Sequence, residues 1–192
     1  MANEFYALLS RMRYISRWGL MRNSFPENIQ EHSHQVAILA HALAVLRNEY
    51  FGGQVDTGAV AVAALYHDAS EILTGDMPTP IKYDNPAIQS AYQQVEAVAE
   101  QKLLSMLPEE LRGAYESAFT ASEDEEKLVK AADKLSALRQ CIEERKAGNR
   151  EFLSAEEQTR RAIEEMHLPE ADWFMEHCLG AFEKNLDELG TM

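Results

Sequence analysis

From Phe5 onward the apolar side chains of this chain recur every three or four positions, and no segment alternates with period two long enough to form a strand. That single periodicity restricts the fold to packed helices. Phe5, Leu8, Leu9, Met12 and Ile15 make the first stripe. Asn28 with Glu31 reads as an N-cap with its capping-box partner, opening a helix that runs to about Asn48. Phe51-Gly52-Gly53 ends it, and Asp56 caps the next helix, which is expected to carry His67 and Asp68. The stretch from Thr74 to Pro80 is a predicted loop, because two prolines and a glycine break a helix. Asn85-Pro86 restarts a helix to about Met106, with proline in the favoured first turn, and Pro108 opens a short one. Ser122 with Glu125 forms a second capping box for a helix that holds Asp133 and ends near Gly148. Ser154 with Glu157, then Pro169, mark the last two starts. The expectation is an all-α fold, one helical domain over residues 1–192.

A chain of 192 residues suits one domain and buries roughly 70% of the surface its unfolded form exposes. A formal charge of −14 opposes binding to a nucleic-acid polymer, whose affinity is drawn from clustered Lys and Arg. A small anion is still a suitable ligand, because a metal and one arginine create a local positive field inside an acidic protein. No apolar run reaches the length of a membrane span, and Met1-Ala2-Asn3-Glu4-Phe5 lacks the layout of a secretory signal, so a cytoplasmic protein is expected. Cys141 and Cys178 form no metal-binding or disulfide spacing and read as reduced thiols.

Chemistry concentrates at a few positions. His67-Asp68 lies in Ala64-Leu65-Tyr66-His67-Asp68-Ala69-Ser70-Glu71, His32 precedes it in Glu31-His32-Ser33, and Asp133 follows in Lys130-Ala131-Ala132-Asp133-Lys134. Singly each is an ordinary residue: a structural histidine, a helix-end pair, a solvated aspartate beside Lys130 or Lys134. Together they make a four-ligand set of mixed N and O donors, suited to one divalent transition metal. Apolar neighbours on both sides put them near buried faces, where an uncompensated carboxylate is costly. Glu71 shares a helical sector with His67 and Asp68 if the helix continues, which makes it the candidate general base. Asp76 is the second acid–base candidate. Arg17-Trp18 offers a guanidinium fork for phosphate and a rigid indole wall, although the residues alone favour a surface arginine beside a core tryptophan over a ligand clamp.

Three segments carry a resemblance. Ser16-Arg17-Trp18-Gly19-Leu20-Met21-Arg22-Asn23, Glu27-Asn28 through Glu31-His32-Ser33, and Tyr66-His67-Asp68 through Asp76-Met77-Pro78-Thr79-Pro80 resemble the HD-domain phosphohydrolases, in particular the bacterial 5′-deoxynucleotidases of the YfbR-like type. The likeness continues through Asp133 to Phe174-Met175-Glu176. It implies an HD-domain helical bundle, a cytoplasmic homodimer, and hydrolysis of 2′-deoxyribonucleoside 5′-monophosphates with cobalt, manganese or copper as the divalent metal. Carried over, His32, His67, Asp68 and Asp133 hold the metal. Arg17 orients the phosphate, Trp18 closes the sugar pocket against a 2′-hydroxyl, Glu71 works on the nucleophilic water, and Asp76, Met77, Pro78 and Thr79 line the substrate. His34 stands where an apolar or aromatic residue is expected; two positions from His32 it is rotated about 200° around the helix, and His41 also points away.

Two other functions compete. One is another HD hydrolase, a triphosphohydrolase or a phosphodiesterase; the dinuclear version needs histidines between His67 and Asp133, and there are none. A triphosphate site needs further cations, for which Arg22 and Lys82 are the nearest candidates. The other is a sensor that binds metal and nucleotide without turnover, which has no need of Glu71 and Asp76.

Overall fold

A computed structural model describes residues 3–82 and 85–190 of the chain. Ten α-helices follow in order among the described residues: α1 (Phe5–Leu9), α2 (Ile29–Tyr50), α3 (Thr57–Tyr66), α4 (Glu71–Thr74), α5 (Thr79–Lys82), α6 (Pro86–Ser105), α7 (Glu109–Phe119), α8 (Glu123–Lys146), α9 (Leu153–Glu164) and α10 (Pro169–His177). Among the described residues there is no strand, only an isolated antiparallel bridge between Ser16 and Asn28. The all-α expectation holds.

Local chemistry explains most boundaries. Asn28 Oδ1 accepts from the amides of Gln30 and Glu31 and starts α2. Asp56 does the same for α3 through Gly58 and Ala59, and Asn85 for α6 through Ala87 and Ile88. Ser122 and Glu125 form the full reciprocal capping box of α8. Each such cap is worth about 1 kcal/mol.

Four expectations are corrected. The stripe from Phe5 is not one α-helix, because α1 tightens into a 3-10 turn over Ser10–Tyr14. α3 stops at Tyr66, so His67 and Asp68 lie on a turn rather than on the helix; Ala69 bonds to Tyr66 and Glu71 to Asp68, three residues back in each case. Pro80 sits inside α5, in its first turn, where a missing amide costs nothing. Finally, Asn149, not Ser154, begins the penultimate helical stretch: its Oδ1 accepts from Glu151, and a 3-10 turn over Arg150–Phe152 leads into α9.

The core is helix on helix. Val36, Leu39 and Leu43 of α2 meet Val60 and Ala64 of α3 and Leu128, Leu135, Leu138 and Ile142 of α8, closed by Ile163 and Phe174. Alanines at 40, 44, 63, 64, 131 and 132 let these three backbones approach closely. Each buried leucine contributes about 1.5–3 kcal/mol. A second cluster of Phe5, Ala69, Leu103 and Leu107 packs α1 and α6 under the His67–Ser70 turn. An ion pair from Arg47 to the buried Glu170 ties the end of α2 to α10. The result brings the start of α2, the end of α3 and the middle of α8 to one place.

Candidate metal centre and active site

His32 lies in the first turn of α2, fully buried. Its Nε2 is 3.0 Å from Asp133 Oδ1 on α8 and 3.6 Å from Asp68 Oδ2. His67 Nε2 is 3.2 Å from Asp68 Oδ1. Ligand atoms of His32, His67 and Asp68 gather within 4.8 Å of one another, and Asp133 abuts that group through His32. So the four predicted ligands converge from three elements far apart in sequence. Asp133 pairs with neither of its lysine neighbours; Lys130 binds Glu126 instead.

The donor set fits a cation. His32 Nε2 and His67 Nε2 are buried atoms that make no well-aligned hydrogen bond among the described residues and face the carboxylate oxygens of Asp68 and Asp133. His67 Nδ1 is 2.7 Å from the Ala64 carbonyl, which only accepts, so Nδ1 carries a proton and Nε2 is the nitrogen turned toward Asp68. His32 Nδ1 is paired with Ser136 Oγ at 3.3 Å, which holds that ring with Nε2 toward the carboxylates. Burial works against charge on Asp68, yet His67 beside it, with His32 and Arg17, holds its carboxyl well below the usual carboxylate range. Asp133, half-exposed, is likewise depressed, by His32 and Arg17. The same pairing raises His67 above the ordinary histidine value despite burial.

Arg17 is not a surface residue. Its side chain is 14% exposed, with NH1 3.3 Å from Asp68 Oδ2 and NH2 3.9 Å from Asp133 Oδ1. A guanidinium lying over the carboxylates is placed to meet an anion bound beside them. Trp18 follows with φ of +59°, a left-handed conformation that costs a bulky residue about 1–3 kcal/mol. Its ring rests on the buried Phe152, 5.2 Å between centroids.

Glu71 opens α4, buried, with Oε2 unpartnered. Burial first, then the charges of Asp68 and Asp76, push its carboxyl up to about 9. Asp76 is raised as well, by burial and by Asp68, with Arg17 opposing. Gly75 at φ +75° turns the chain out of α4 toward Asp76, a bend that any Cβ would strain. Tyr92 on α6 donates its hydroxyl to the Gly75 carbonyl. Met77 and Pro78 are half-buried and Thr79 is exposed; among the described residues none of the three touches the ligand group by hydrogen bond or ion pair. His34 and His41 are exposed, away from the cluster.

Two supports were not legible as such. Ser136 lies one helical turn beyond Asp133, a spacing that sets it on the same face of α8. Glu27, just before the α2 cap, accepts from Arg17 Nε, Trp18 Nε1 and Arg139. The loop between Arg17 and Glu27 is fastened again by Glu144 of α8, whose buried carboxylate accepts from the amides of Ser24 and Phe25 and from Asn149.

The family model for YfbR-like 5′-deoxynucleotidases matches residues 4–182. The 5′-deoxynucleotidase VV1113 of Vibrio vulnificus is 48% identical over 190 residues, covering 97% of this chain and 98% of the relative. The 5′-deoxynucleotidase YfbR of Escherichia coli is 48% identical over 192 residues, covering 97% and 96%. Among solved structures, an HD-domain phosphohydrolase from Listeria innocua superposes with a TM-score of 0.81 at 23% identity, over 98% of this chain and 95% of that one. The HD phosphohydrolase DatZ of cyanophage S-2L, bound to dA and one catalytic Zn2+, gives 0.64 at 23% identity, over 91% and 95%. Those two structures speak to the fold.

Proposed function

The chain belongs to the YfbR-like 5′-deoxynucleotidase family, and on that premise we propose that it hydrolyses 2′-deoxyribonucleoside 5′-monophosphates to deoxynucleoside and phosphate. The observation that carries the reading at residue level is the pair of buried imidazole nitrogens facing the carboxylates of Asp68 and Asp133, with Arg17 alongside. His32, His67, Asp68 and Asp133 would hold the metal. When bound, a divalent cation supplies Lewis-acid charge beside the phosphate and makes water a stronger nucleophile at neutral pH. Arg17 orients the phosphate dianion and absorbs charge on its oxygens as phosphorus is attacked in line. Glu71 takes the proton of the attacking water. Neutralising Asp68 removes one of the like charges that hold Glu71 protonated, which returns it toward the ionised form a base needs. Asp76, also raised, gives a proton to the leaving 5′ oxygen as the P–O bond breaks. Trp18 closes the sugar pocket against a 2′-hydroxyl, and Met77, Pro78 and Thr79 line the substrate.

The mixed N and O donors suit cobalt, manganese or copper. A single HD domain over residues 1–192 and a homodimer complete the reading; exposed Ile38 and Val45, seven positions apart on one face of α2, support a partner there. A cytoplasmic location is supported by two free cysteines, and no helix among the described residues is long and apolar enough to cross a membrane.

The test is phosphate release from dAMP and AMP side by side, with cobalt or manganese and with EDTA as control. Metal-dependent release from dAMP is expected, with AMP spared. Equal release from both would keep the phosphatase and remove the role of Trp18. No release from either by protein with metal bound would favour a triphosphate, a diester or ligand sensing.

A further inference from the structure

One side chain holds both members of the Arg17-Trp18 pair. Glu27 is 6% exposed, and its Oε2 accepts from Arg17 Nε at 3.2 Å and from Trp18 Nε1 at 3.2 Å. Its Oε1 accepts from Arg139 of α8 at 3.1 Å. Its backbone carbonyl accepts from the Arg17 amide at 2.9 Å, next to the Ser16–Asn28 bridge that closes the loop. With Nε committed to Glu27, the free end of the guanidinium faces Asp68 and Asp133. With its N–H committed to the same oxygen and its ring against Phe152, the indole has one orientation, although its backbone sits in a region bulky residues avoid. The azimuth of the arginine fork and the pitch of the indole are therefore fixed by the same atom.

We infer that Glu27 is the positioning residue that couples phosphate binding to sugar discrimination, by holding Arg17 and Trp18 in one frame. The inference rests on the reading that Arg17 meets the phosphate and Trp18 the sugar. A carboxylate is required because donors approach both oxygens: a guanidinium and an indole on one side, Arg139 on the other. A glutamine satisfies only one side, since its amide nitrogen turns a donor toward a donor. Arg139 belongs to the same helix as Asp133, so the frame is referenced to the metal ligands rather than floating on the loop.

The experiment compares kcat and KM for dAMP and AMP in the wild type, Glu27→Ala, Glu27→Gln and Trp18→Ala, at saturating cobalt, with bound cobalt counted for each. Glu27→Ala is expected to raise KM for dAMP about 10–100-fold and to bring the dAMP/AMP ratio of kcat/KM down to that of Trp18→Ala, with bound cobalt unchanged. Glu27→Gln, which keeps one acceptor, is expected to fall between Ala and wild type, and it carries the same test if the alanine variant does not fold. A wild type that discriminates, beside Glu27 variants that discriminate as well while losing activity on both substrates, overturns the inference and leaves the sugar-gate reading intact. A wild type that treats both substrates alike, or a Trp18→Ala variant with the wild-type ratio, removes the sugar-gate reading and this inference with it.

Discussion

Replacing Glu71 by glutamine in the metal-free protein should abolish a pH-dependent instability. The carboxyl is 5% exposed and raised to about 9 by burial and by its neighbours Asp68 and Asp76, whereas an unfolded chain titrates it near the ordinary value of about 4.3. A group raised in the folded state favours folding below its unfolded pKa and loses that contribution as pH climbs toward the folded value. Between those limits the unfolded chain ionises and the folded one holds its proton, so stability falls by about 1.36 kcal/mol per pH unit. From about pH 5.5 to about pH 8 the loss is about 3 kcal/mol, a large part of the 5–15 kcal/mol that holds a domain together. Glutamine keeps the shape and never ionises. Urea unfolding in EDTA at the two pH values, with equal slopes in urea as the check on a common unfolded state, measures the difference. The expected result is that Glu71→Gln gains about 3 kcal/mol on the wild type between the two conditions. Parallel stabilities at both pH values would refute the reasoning, because they would mean that Glu71 ionises freely where it lies.

Arg17→Ala should lower kcat/KM for dAMP about 100-fold, through kcat as well as KM, as steady-state kinetics would show. His67→Ala should abolish bound metal at equimolar cobalt and metal-dependent turnover with it, read by metal analysis of the purified protein. Ser136→Ala should weaken metal affinity about 10–100-fold while leaving the unfolding midpoint of the EDTA-treated protein nearly unchanged, since it removes an orienting contact to His32 rather than a ligand. Leu43→Ala, fully buried between α2, α3 and α8, should cost about 2–5 kcal/mol in urea unfolding.

Caps and breakers are local chemistry, which is why Asn28, Asp56, Asn85 and Ser122 could be read as helix starts and are found there. The turn at His67–Ser70 could not, because Ala64 to Glu71 contains no proline or glycine. What accompanies the end of α3 is partly tertiary, Ala69 packing into the cluster of Phe5, Leu103 and Leu107, and partly a local bond, His67 spending its Nδ1 on the Ala64 carbonyl. The four candidate ligands were recognisable by type and order, since such residues on apolar faces need compensation. Their supports were not. Glu27 and Glu144 look in sequence like two of the many acidic residues of a surface, and only packing makes them acceptors for loop donors nine and ten positions away in the one case and more than a hundred in the other. Ser154 failed for the converse reason: its pattern suits a cap, but Asn149 begins the helical stretch first and leaves Ser154 to accept from Gln158.

The anchoring of the Arg17–Glu27 loop bears on how a nucleotide gets in and out. Its ends are joined to each other, and its far side is staked to α8 through Glu144 and to the start of the next helical stretch through Asn149, which donates to the Arg22 carbonyl. A wall tied down at that many points has no hinge, so it makes a poor lid. Ingress and release then fall to the opposite wall, where the segment after Gly75 is held to α6 at its two ends, by the Tyr92 hydroxyl and by the Lys82–Glu96 ion pair, and leads into a helix of only four residues. Turnover limited by product departure would accordingly respond to Tyr92 and Gly75, residues that never meet the phosphorus, and remain indifferent to the stiffness of the arginine side.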